Sequence, residues 1–302
     1  MIKTITVINY LGEQIKISLS EMHPSHGLVI SDISGLGPAK GNISSTSLSN
    51  GDGSVYNSAR LDERNIVIKI IFDPDSNIET TRQLTYKYFP VKKQIMLKID
   101  TDNRSAYAIG YIESNEPTIF DEMESCQISI ICPDPFFYSN EIIETWFYGI
   151  EPGFEFPFSN ESLSEKLIEF SSIMNRKARS IYYNGDDEIG ITINIHALGP
   201  VGDIAIWDIN TKQKITVYAD KLKKVTGSSL INGDDIIINS EKGNRYIRLL
   251  RAGHYTNIIN CIDRYSNWFM LTKGENIFSF EATTGQDNII FRIKNRNLYE
   301  GV

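Results

Sequence analysis

Histidine and cysteine are the residue types that most often hold metals or act as nucleophiles, and here they form no recognisable set. The four histidines are dispersed along the chain: His23, His26, His196 and His254. No cysteine lies near the first two to complete a metal-ligand set. The three cysteines lack the spacing of a disulfide framework and are predicted to be buried small hydrophobic residues: Cys126, Cys132 and Cys261. We expect no metal site and no cofactor.

Carboxylates are the second class that could do chemistry. Asp186-Asp187 and Asp234-Asp235 could serve a glycoside hydrolase, but adjacent aspartates in a turn are more often turn residues. Asp73 to Leu84 imitates a calcium-binding EF-hand loop, yet Ile78 stands where glycine is needed and Leu84 where glutamate is needed. No nucleophile elbow or phosphate-binding loop is present. These patterns predict a protein that is not an enzyme.

Aromatic residues are the more suggestive class. They crowd the start of the second half and recur in two later strands: Trp146, Phe147, Tyr148, Phe154, Phe156, Phe158, Trp207 and Trp268. Aromatic rings pack well in cores and between domains, which is the interpretation we favour. The alternative is a platform on which sugar rings stack, with Trp207 and Trp268 as the candidate stacking residues.

Bulk composition restricts the class of protein. The chain has 302 residues, of which 41% are apolar and 23% charged, as in two globular domains. The net charge of −8 gives no general attraction for nucleic acid or anionic lipid. The N-terminal residues alternate apolar and polar as in a strand, and no stretch is long and apolar enough for a membrane span.

Strand patterns dominate the first half. Residues 2–8 and 14–19 predict an opening hairpin, and a second hairpin is predicted around Thr101-Asp102-Asn103. One helix is predicted over about residues 76–89, begun by a capping box of Ser76 and Glu79. Between these elements, residues 31–60 are rich in Ser, Gly and Asn. That composition over such a length indicates irregular structure, edge structure or an arm that contacts something outside.

A proline-rich motif ends the first half: Cys132-Pro133-Asp134-Pro135-Phe136-Phe137-Tyr138. The two prolines stiffen the backbone and the aromatic residues after them can pin a neighbouring domain. We predict an inter-domain hinge made of Pro133, Asp134, Pro135, Phe136, Phe137 and Tyr138, which acts as a rigid elbow. The predicted domains are residues 1–134 and 135–302.

Short strands with turns between them fill the second half. Asn-Gly-Asp-Asp occurs at residues 184–187 and 232–235, where Asn-Gly suits a two-residue hairpin turn. Strands at this spacing predict a β-sandwich or jelly roll, without a helix of convincing length. Lys221, Lys223 and Lys224 form the densest basic group and are predicted to lie in a solvated loop.

In this order, the motifs resemble the distal tail protein family of long-tailed phages. The first half is similar to the family's N-terminal domain, through the opening hairpin, residues 27–35, residues 57–64, the strand at 66–70, the single helix and the Pro-Asp-Pro-Phe element. The second half is similar more loosely, through Gly233-Asp234 and the pattern from Trp268 to Phe278. The resemblance implies a mostly β chain: an N-terminal β-barrel or sandwich-like domain with one crossover helix, and a C-terminal galectin-like jelly roll.

The family resemblance also implies a function. Six N-terminal domains form a ring at the virion tail tip that joins the tail tube to the hub or baseplate, and the C-terminal domains point outward. The implied partners are other copies of the chain, the tail tube protein, the tail-tip hub or tail-associated lysin, and receptor-binding proteins. DNA passes through the ring without being specifically bound, no membrane is involved, and assembly takes place in the bacterial host cytoplasm.

Two further expectations follow from the resemblance. Leu61, Asp62 and Arg64 are candidate inter-subunit contacts, because they close the Gly-rich stretch before the strand at 66–70. The alternative function is a carbohydrate-binding adhesion module at the tail tip. The family's sugar-contact pattern does not map here, since Phe269 follows Trp268 and Ala197 follows His196. A contractile tail or a tail-like bacteriocin could use a similar subunit.

Overall fold

The computed structural model describes residues 1–49, 51–119, 123–152, 171–175 and 178–302, with only the backbone for 148–152 and 171–175. The chain forms two compact units. The first unit holds residues 1–141 and 298–302, and the second holds 142–297. The sequence analysis placed the boundary at 134/135 and assigned everything after it to the second domain. Residues 135–141 and 298–302 instead belong to the first unit. The predicted mostly β fold is confirmed.

The first unit is one large antiparallel sheet with one helix, α1 (Ile78–Tyr88). Its strands run in the order β2-β1-β7-β8-β9-β6-β3, with β10 beside β8 and β25 beside β10. A separate two-stranded ribbon is made by β4 and β5. The strand bounds are β1 (Ile2–Ile8), β2 (Gln14–Ser18), β3 (Leu28–Ser34), β4 (Gly41–Ser47), β5 (Ser54–Leu61), β6 (Arg64–Phe72), β7 (Gln94–Thr101), β8 (Ser105–Thr118), β9 (Ser125–Cys132), β10 (Phe137–Ser139) and β25 (Leu298–Tyr299).

Alternation of apolar and polar residues explains which face of this sheet is buried. In β6, Ile66, Ile68 and Ile70 are buried, while Asn65 and Lys69, on the opposite face, are exposed. The same alternation in the neighbouring strands gives one continuous core. Both predicted hairpins are present, as β1 pairs with β2 and β7 pairs with β8 in antiparallel register.

The helix begins one residue later than the capping box predicts. Asn77 is the N-cap, and its side-chain oxygen accepts the Thr80 N–H. Ser76 is not the cap, because its hydroxyl donates to the Asp73 carbonyl at 2.7 Å. At the other end, the Asn115 amide of β8 donates to the carbonyls of Thr85 and Phe89, which satisfies acceptors that a helix C-terminus leaves open.

The return segment, which we define as residues 298–302, completes the first unit. Leu298 is buried, and β25 pairs antiparallel with β10. Val302 donates its backbone N–H to the Leu36 carbonyl at 3.1 Å. Arg104 donates to the Gly301 carbonyl, and its guanidinium carbon lies 4.4 Å from the centre of the Tyr299 ring. The chain therefore leaves the first unit after β10 and, after the second unit, returns to form β25, the strand next to β10.

The second unit is built from a six-stranded sheet and a four-stranded sheet. The six-stranded order is β11-β24-β16-β19-β20-β21, the four-stranded order is β14-β23-β17-β18, and β12-β13 and β15-β22 are two-stranded. The bounds are β11 (Ile143–Trp146), β12 (Tyr148–Pro152), β13 (Ser171–Asn175), β14 (Ala178–Tyr183), β15 (Ile189–Gly190), β16 (Thr192–Ala197), β17 (Ile204–Asp208), β18 (Gln213–Val217), α2 (Ala219–Thr226), β19 (Asp235–Asn239), β20 (Tyr246–Arg251), β21 (His254–Asn257), β22 (Met270–Leu271), β23 (Gly274–Ala282) and β24 (Ile289–Asn295), with short 3₁₀ helices at Ile259–Cys261 and Gln286–Asn288.

Aromatic side chains join the inner faces of the two larger sheets. Phe280 of the four-stranded sheet stacks on Phe291 of the six-stranded sheet at 4.8 Å between ring centres. Phe147 meets Phe291 edge-on at 4.7 Å, and all three rings are buried. The predicted packing role is therefore confirmed for Phe147. Phe154, Phe156 and Phe158 lie outside the described residues.

Two local predictions for the second unit are wrong. Lys221, Lys223 and Lys224 lie on helix α2, which ends at Gly227 in left-handed conformation, and not in a loop. Neither Asn-Gly-Asp-Asp sequence turns between paired strands, because β14 pairs with β23 and β19 pairs with β16 and β20. Neither helix of the described chain is long and apolar enough to span a membrane.

Replacing Leu298 by alanine tests the return segment. We expect the free energy of unfolding of the first unit to fall by about 2–4 kcal/mol, because a buried leucine is lost. All three tryptophans lie in the second unit, at positions 146, 207 and 268, so circular dichroism should register the loss while tryptophan fluorescence should not. Leu198→Ala, at an exposed site, is the matched control. Equal stability of the two variants would contradict the assigned role.

Burial of the cysteines predicts their reactivity. Desolvation raises the pKa of Cys126 and of Cys132 to about 11 and also raises the pKa of Cys261. Because the thiolate is the reactive form, Ellman's reagent at pH 7.5 should label none of the three in the native chain and all three after denaturation. Rapid labelling of the native chain would show that a thiol is accessible.

Candidate functional site

The arm, which we define as the ribbon of β4 and β5, is the most unusual surface of the first unit. Every residue of both strands is exposed, on both faces of the ribbon. Large apolar side chains are nevertheless among them: Ile43 is 67% exposed, Tyr56 is 63% exposed and Val55 is 53% exposed. Leu48, which directly follows β4, is 51% exposed. Of the alternatives predicted for residues 31–60, irregular structure is wrong for these two strands, and contact with something outside stays a prediction.

A single buried arginine holds the base of the arm. Arg64 is 3% exposed, and its guanidinium donates to four backbone carbonyls. The acceptors are Gly35 at 2.6 Å, Gly37 at 2.5 Å, Pro135 at 2.7 Å and Glu300 at 2.6 Å. The guanidinium carbon also lies 4.4 Å from the centre of the Phe137 ring. We call this arrangement the Arg64 clamp.

The electrostatics of the Arg64 clamp are those of a buried cation held by dipoles. Among the described residues, no carboxylate forms an ion pair with Arg64, so carbonyl oxygens and the aromatic face stabilise its charge. Burial lowers the pKa of Arg64, although an arginine remains protonated in proteins. Gly35 is required beside the clamp, because its φ is +84° and a Cβ would lie 2.0 Å from the Asn65 carbonyl oxygen.

The predicted set of inter-subunit contacts needs one correction, the removal of Arg64. Its side chain is buried within the first unit and cannot contact another subunit. Leu61 and Asp62 remain available, since both are exposed at the end of β5, where Asp62 pairs with Arg60 at 3.5 Å. Composition alone does not distinguish an exposed arginine from a buried one.

The predicted hinge residues lie in the first unit. Asp134 shapes the motif, because its carboxylate accepts the Phe136 N–H at 3.1 Å and the Tyr138 hydroxyl at 2.5 Å. Phe137 is fully buried, and β10 pairs with both β8 and β25. Pro133 and Pro135 flank Asp134 in the loop after β9. The role of an elbow between domains stays a prediction.

The candidate sugar-stacking residues lie on separate elements. Trp207 is on β17, with Lys214 Nζ 4.6 Å from its ring centre and its indole N–H donating to Glu281. Trp268 precedes β22, with the Arg245 guanidinium 5.7 Å from its ring centre. A cation therefore lies over each half-buried ring.

A second polar and aromatic surface was not predicted. On the outer face of the six-stranded sheet, Arg292 lies 4.7 Å from the Trp146 ring centre and is the register partner of Asn194. His196 and Asp235 are paired beside them at 2.8 Å. Asn194 Oδ1 is buried and has no hydrogen-bond partner among the described residues. These residues share one face because they alternate on adjacent strands, a signal that requires knowing the strand order.

The paired aspartates have structural partners. Asp234 is buried and receives two hydrogen bonds from the Arg251 guanidinium, at 2.8 and 2.6 Å. Asp235 pairs with His196, and Asp187 accepts the backbone N–H of Glu188. Asp234 fixes Arg251, which also donates to Thr226 at the end of α2, and Asp235 pairs with His196 on the neighbouring strand. Asp234 is therefore more than a turn residue.

Comparisons with known proteins agree with this description. Residues 184–295 match the family model for the siphovirus-type tail component, C-terminal domain. The fold is similar to Dit of phage SPP1, described as a paradigm of the hub adsorption apparatus in phages infecting Gram-positive bacteria, with a TM-score of 0.65, 12% identity and coverage of 98% of this chain and 99% of that one. A search of curated proteins gives no match.

Two structures of the phage P2 baseplate in its activated conformation are also similar. The one with Ca has a TM-score of 0.49, 13% identity and 98% coverage of both chains. The one with Sr has a TM-score of 0.48, 15% identity and 97% coverage of both chains. The predicted resemblance to distal tail proteins is confirmed by the family match over residues 184–295 and by the fold shared with SPP1 Dit.

Replacing Arg64 by methionine tests the Arg64 clamp. We expect the free energy of unfolding to fall by about 3 kcal/mol, because four backbone carbonyls lose the charged donor that they share. Arg64→Lys should restore only part of the loss, since an ammonium has three donors and no planar fork. The control is Arg60→Met, at an exposed site, where we expect a change within about 0.5 kcal/mol. Chemical denaturation measures all three, and an unaltered Arg64→Met variant would contradict the assignment.

Proposed function

We propose that this siphovirus-type tail component is a non-enzymatic structural subunit that assembles into a ring at the virion tail tip, between the tail tube and the hub. The number of copies implied by the resemblance to distal tail proteins is six. The observation that carries the proposal is the arm, which exposes apolar side chains on a ribbon that packs against nothing in the described part of its own unit.

Elementary energetics require a partner for such an arm. A two-stranded hairpin is marginally stable in water unless it packs against another element. Exposed apolar groups such as Ile43, Val55 and Tyr56 favour burial in an interface. A second copy of the chain is the partner that is always present at equal concentration during assembly.

The Arg64 clamp prepares the arm for assembly. One guanidinium nitrogen donates to the Gly37 carbonyl, just before the arm, and the same residue begins β6, just after it. Both ends of the arm are thereby fixed at one point of the folded unit. An arm held in this way loses less conformational entropy when it binds, which favours assembly.

Symmetry connects the arm with a ring. When the arm of one subunit contacts a different surface on the next, the contact is heterologous, and repeated copies close into a ring if the rotation allows it. Leu61 and Asp62, exposed where β5 ends, belong to the proposed contact surface. The tail tube protein, the hub or tail-associated lysin and receptor-binding proteins are the further proposed partners. A net charge of −8 suits a ring that DNA crosses without binding.

Assembly of the purified chain tests the proposal. The wild-type protein should form rings, visible by negative-stain electron microscopy and counted by native mass spectrometry. Ile43→Ser/Tyr56→Ser should reduce ring formation to monomers, because it removes apolar contact area. Its circular dichroism spectrum should match that of the wild type, because both side chains are exposed in the free subunit and their loss should not alter the fold.

The matched control is Ile142→Ser/Tyr182→Ser, which makes the same pair of changes at exposed sites of the second unit and should leave rings intact. A wild-type chain that stays monomeric at high concentration and on isolated tail-tube ends would overturn the ring proposal. Normal rings from the arm variant would show that the arm does not make the contact.

A second candidate function is carbohydrate binding at the tail tip. The observation that favours it is the outer face of the six-stranded sheet, where Trp146, Arg292 and Asn194 lie in one row and the Asn194 carbonyl has no hydrogen-bond partner in the described part of the chain. An aromatic face beside a guanidinium and an amide offers both stacking and hydrogen bonds to a sugar ring.

A glycan array with host cell-wall saccharides tests this candidate on the full chain. If binding depends on the outer face, Asn194→Ala should weaken it about tenfold or more, as expected for one buried hydrogen bond. Trp207→Ala and Trp268→Ala test the residues predicted from the sequence. The absence of any signal for the wild-type chain would remove carbohydrate binding from consideration.

A further inference from the structure

Two loops separated by about fifty residues meet at one end of the first sheet. His23 lies in the loop before β3, and Asp73 and Asp75 lie in the loop after β6. Because β3 and β6 are antiparallel, with Leu28 opposite Phe72, the residues before one strand and after the other are neighbours. The sequence analysis found no metal-ligand set around His23, since the carboxylates come from this second loop.

Backbone contacts fix the two loops to each other. The Asp73 N–H donates to the Gly27 carbonyl at 2.9 Å, and the Gly27 N–H donates to the Pro24 carbonyl at 2.8 Å. Gly27 has a φ of +72°, and a Cβ there would lie 2.5 Å from the Ser76 hydroxyl oxygen. These backbone hydrogen bonds hold the loop that carries His23 against the loop that carries Asp73 and Asp75, so the backbone that positions the three side chains is fixed.

The geometry of the side chains is that of a coordination group. His23 Nδ1 lies 3.2 Å from each oxygen of Asp73 and 3.6 Å from Asp75 Oδ2. One ligand atom from each of the three residues falls within 4.8 Å of the others. A single imidazole N–H cannot point at three oxygens. Ligands about 2.1 Å from a shared metal ion lie about 3.0–3.4 Å apart, close to these separations.

Charge at this edge also favours a cation. Asp73 is 5% exposed, so its carboxylate is largely removed from water. Glu124 precedes the adjacent strand β9, and its backbone carbonyl accepts the N–H of Phe72. The Oε2 atom of Glu124 is buried and has no hydrogen-bond donor among the described residues. Two carboxylates and one imidazole thus form the cluster, and the Glu124 backbone lies beside Phe72, the residue before Asp73.

We propose that His23, Asp73 and Asp75 bind a divalent transition-metal ion, with Zn²⁺ and Mn²⁺ as the chemical class. An imidazole nitrogen combined with carboxylate oxygens suits these ions better than Ca²⁺ or Mg²⁺, which take all-oxygen sites. Three protein residues leave coordination positions for water. The ion ties the loop before β3 to the start of α1, and this proposal is independent of ring formation.

Metal titration of the full chain tests the site. After treatment with EDTA, calorimetry with ZnCl₂ and MnCl₂ should give one ion per chain, and Co²⁺ should develop a visible absorption band. The melting temperature should rise with metal concentration. His23→Ala and Asp75→Asn should each weaken binding at least about tenfold, the loss that even outer-shell changes produce. Both side chains are exposed, so these variants should fold normally.

The matched controls are His254→Ala and Asp52→Asn, at exposed positions far along the sequence, and they should bind metal as the wild type does. Absence of saturable binding at millimolar metal would overturn the proposal and leave a histidine–aspartate ion pair as the sole role of the cluster. Binding that His23→Ala and Asp75→Asn leave undiminished would overturn it as well, because the ion would then sit elsewhere.

Discussion

The buried guanidinium of Arg64 is the interaction on which the first unit depends. It joins four segments that are remote in sequence: the linker before the arm, the start of β6, the loop of the proline-rich motif and the return segment. Three of these segments, all but the start of β6 that carries Arg64 itself, supply the four carbonyls that accept its hydrogen bonds. Arginine is suited to this task because its donors radiate in one plane and its charge cannot be lost. The exposed arm and the buried core are thus fixed to the same group.

Local patterns were sufficient to predict most elements. The opening hairpin of β1 and β2 and the hairpin of β7 and β8 were predicted from strand patterns and turn residues, and the strand at 66–70 lies within β6. The helix was also predicted, but its N-cap is Asn77 and not Ser76, because the Ser76 hydroxyl donates to the Asp73 carbonyl. What failed were inferences that need a partner distant in the chain. Asn-Gly predicts a turn correctly in many hairpins, but here the strands on either side pair elsewhere, and Asp234 is recruited by Arg251.

The functional surfaces show the same limit. The Ser-, Gly- and Asn-rich composition of residues 31–60 and the length of that stretch indicated irregular structure, edge structure or an arm. They could not indicate that Arg64, three residues beyond the arm, is buried and intramolecular. The groups on the outer face of the six-stranded sheet and the cluster around His23 come together only through strand register. Register is set by the whole sheet, so a local reading cannot supply it.

The return segment has a consequence for the order of events during synthesis. Residues 298–302 emerge from the ribosome after the entire second unit, yet they supply the last strand beside β10 and one carbonyl of the Arg64 clamp. The first unit can begin to fold early but can finish only when translation has passed the second. Contacts of such long sequence separation also slow folding. A chain that stops short of residue 298 would leave the edge of β10 unpaired and Arg64 without one of its four acceptors, so that only chains translated past residue 300 present a finished first unit for assembly.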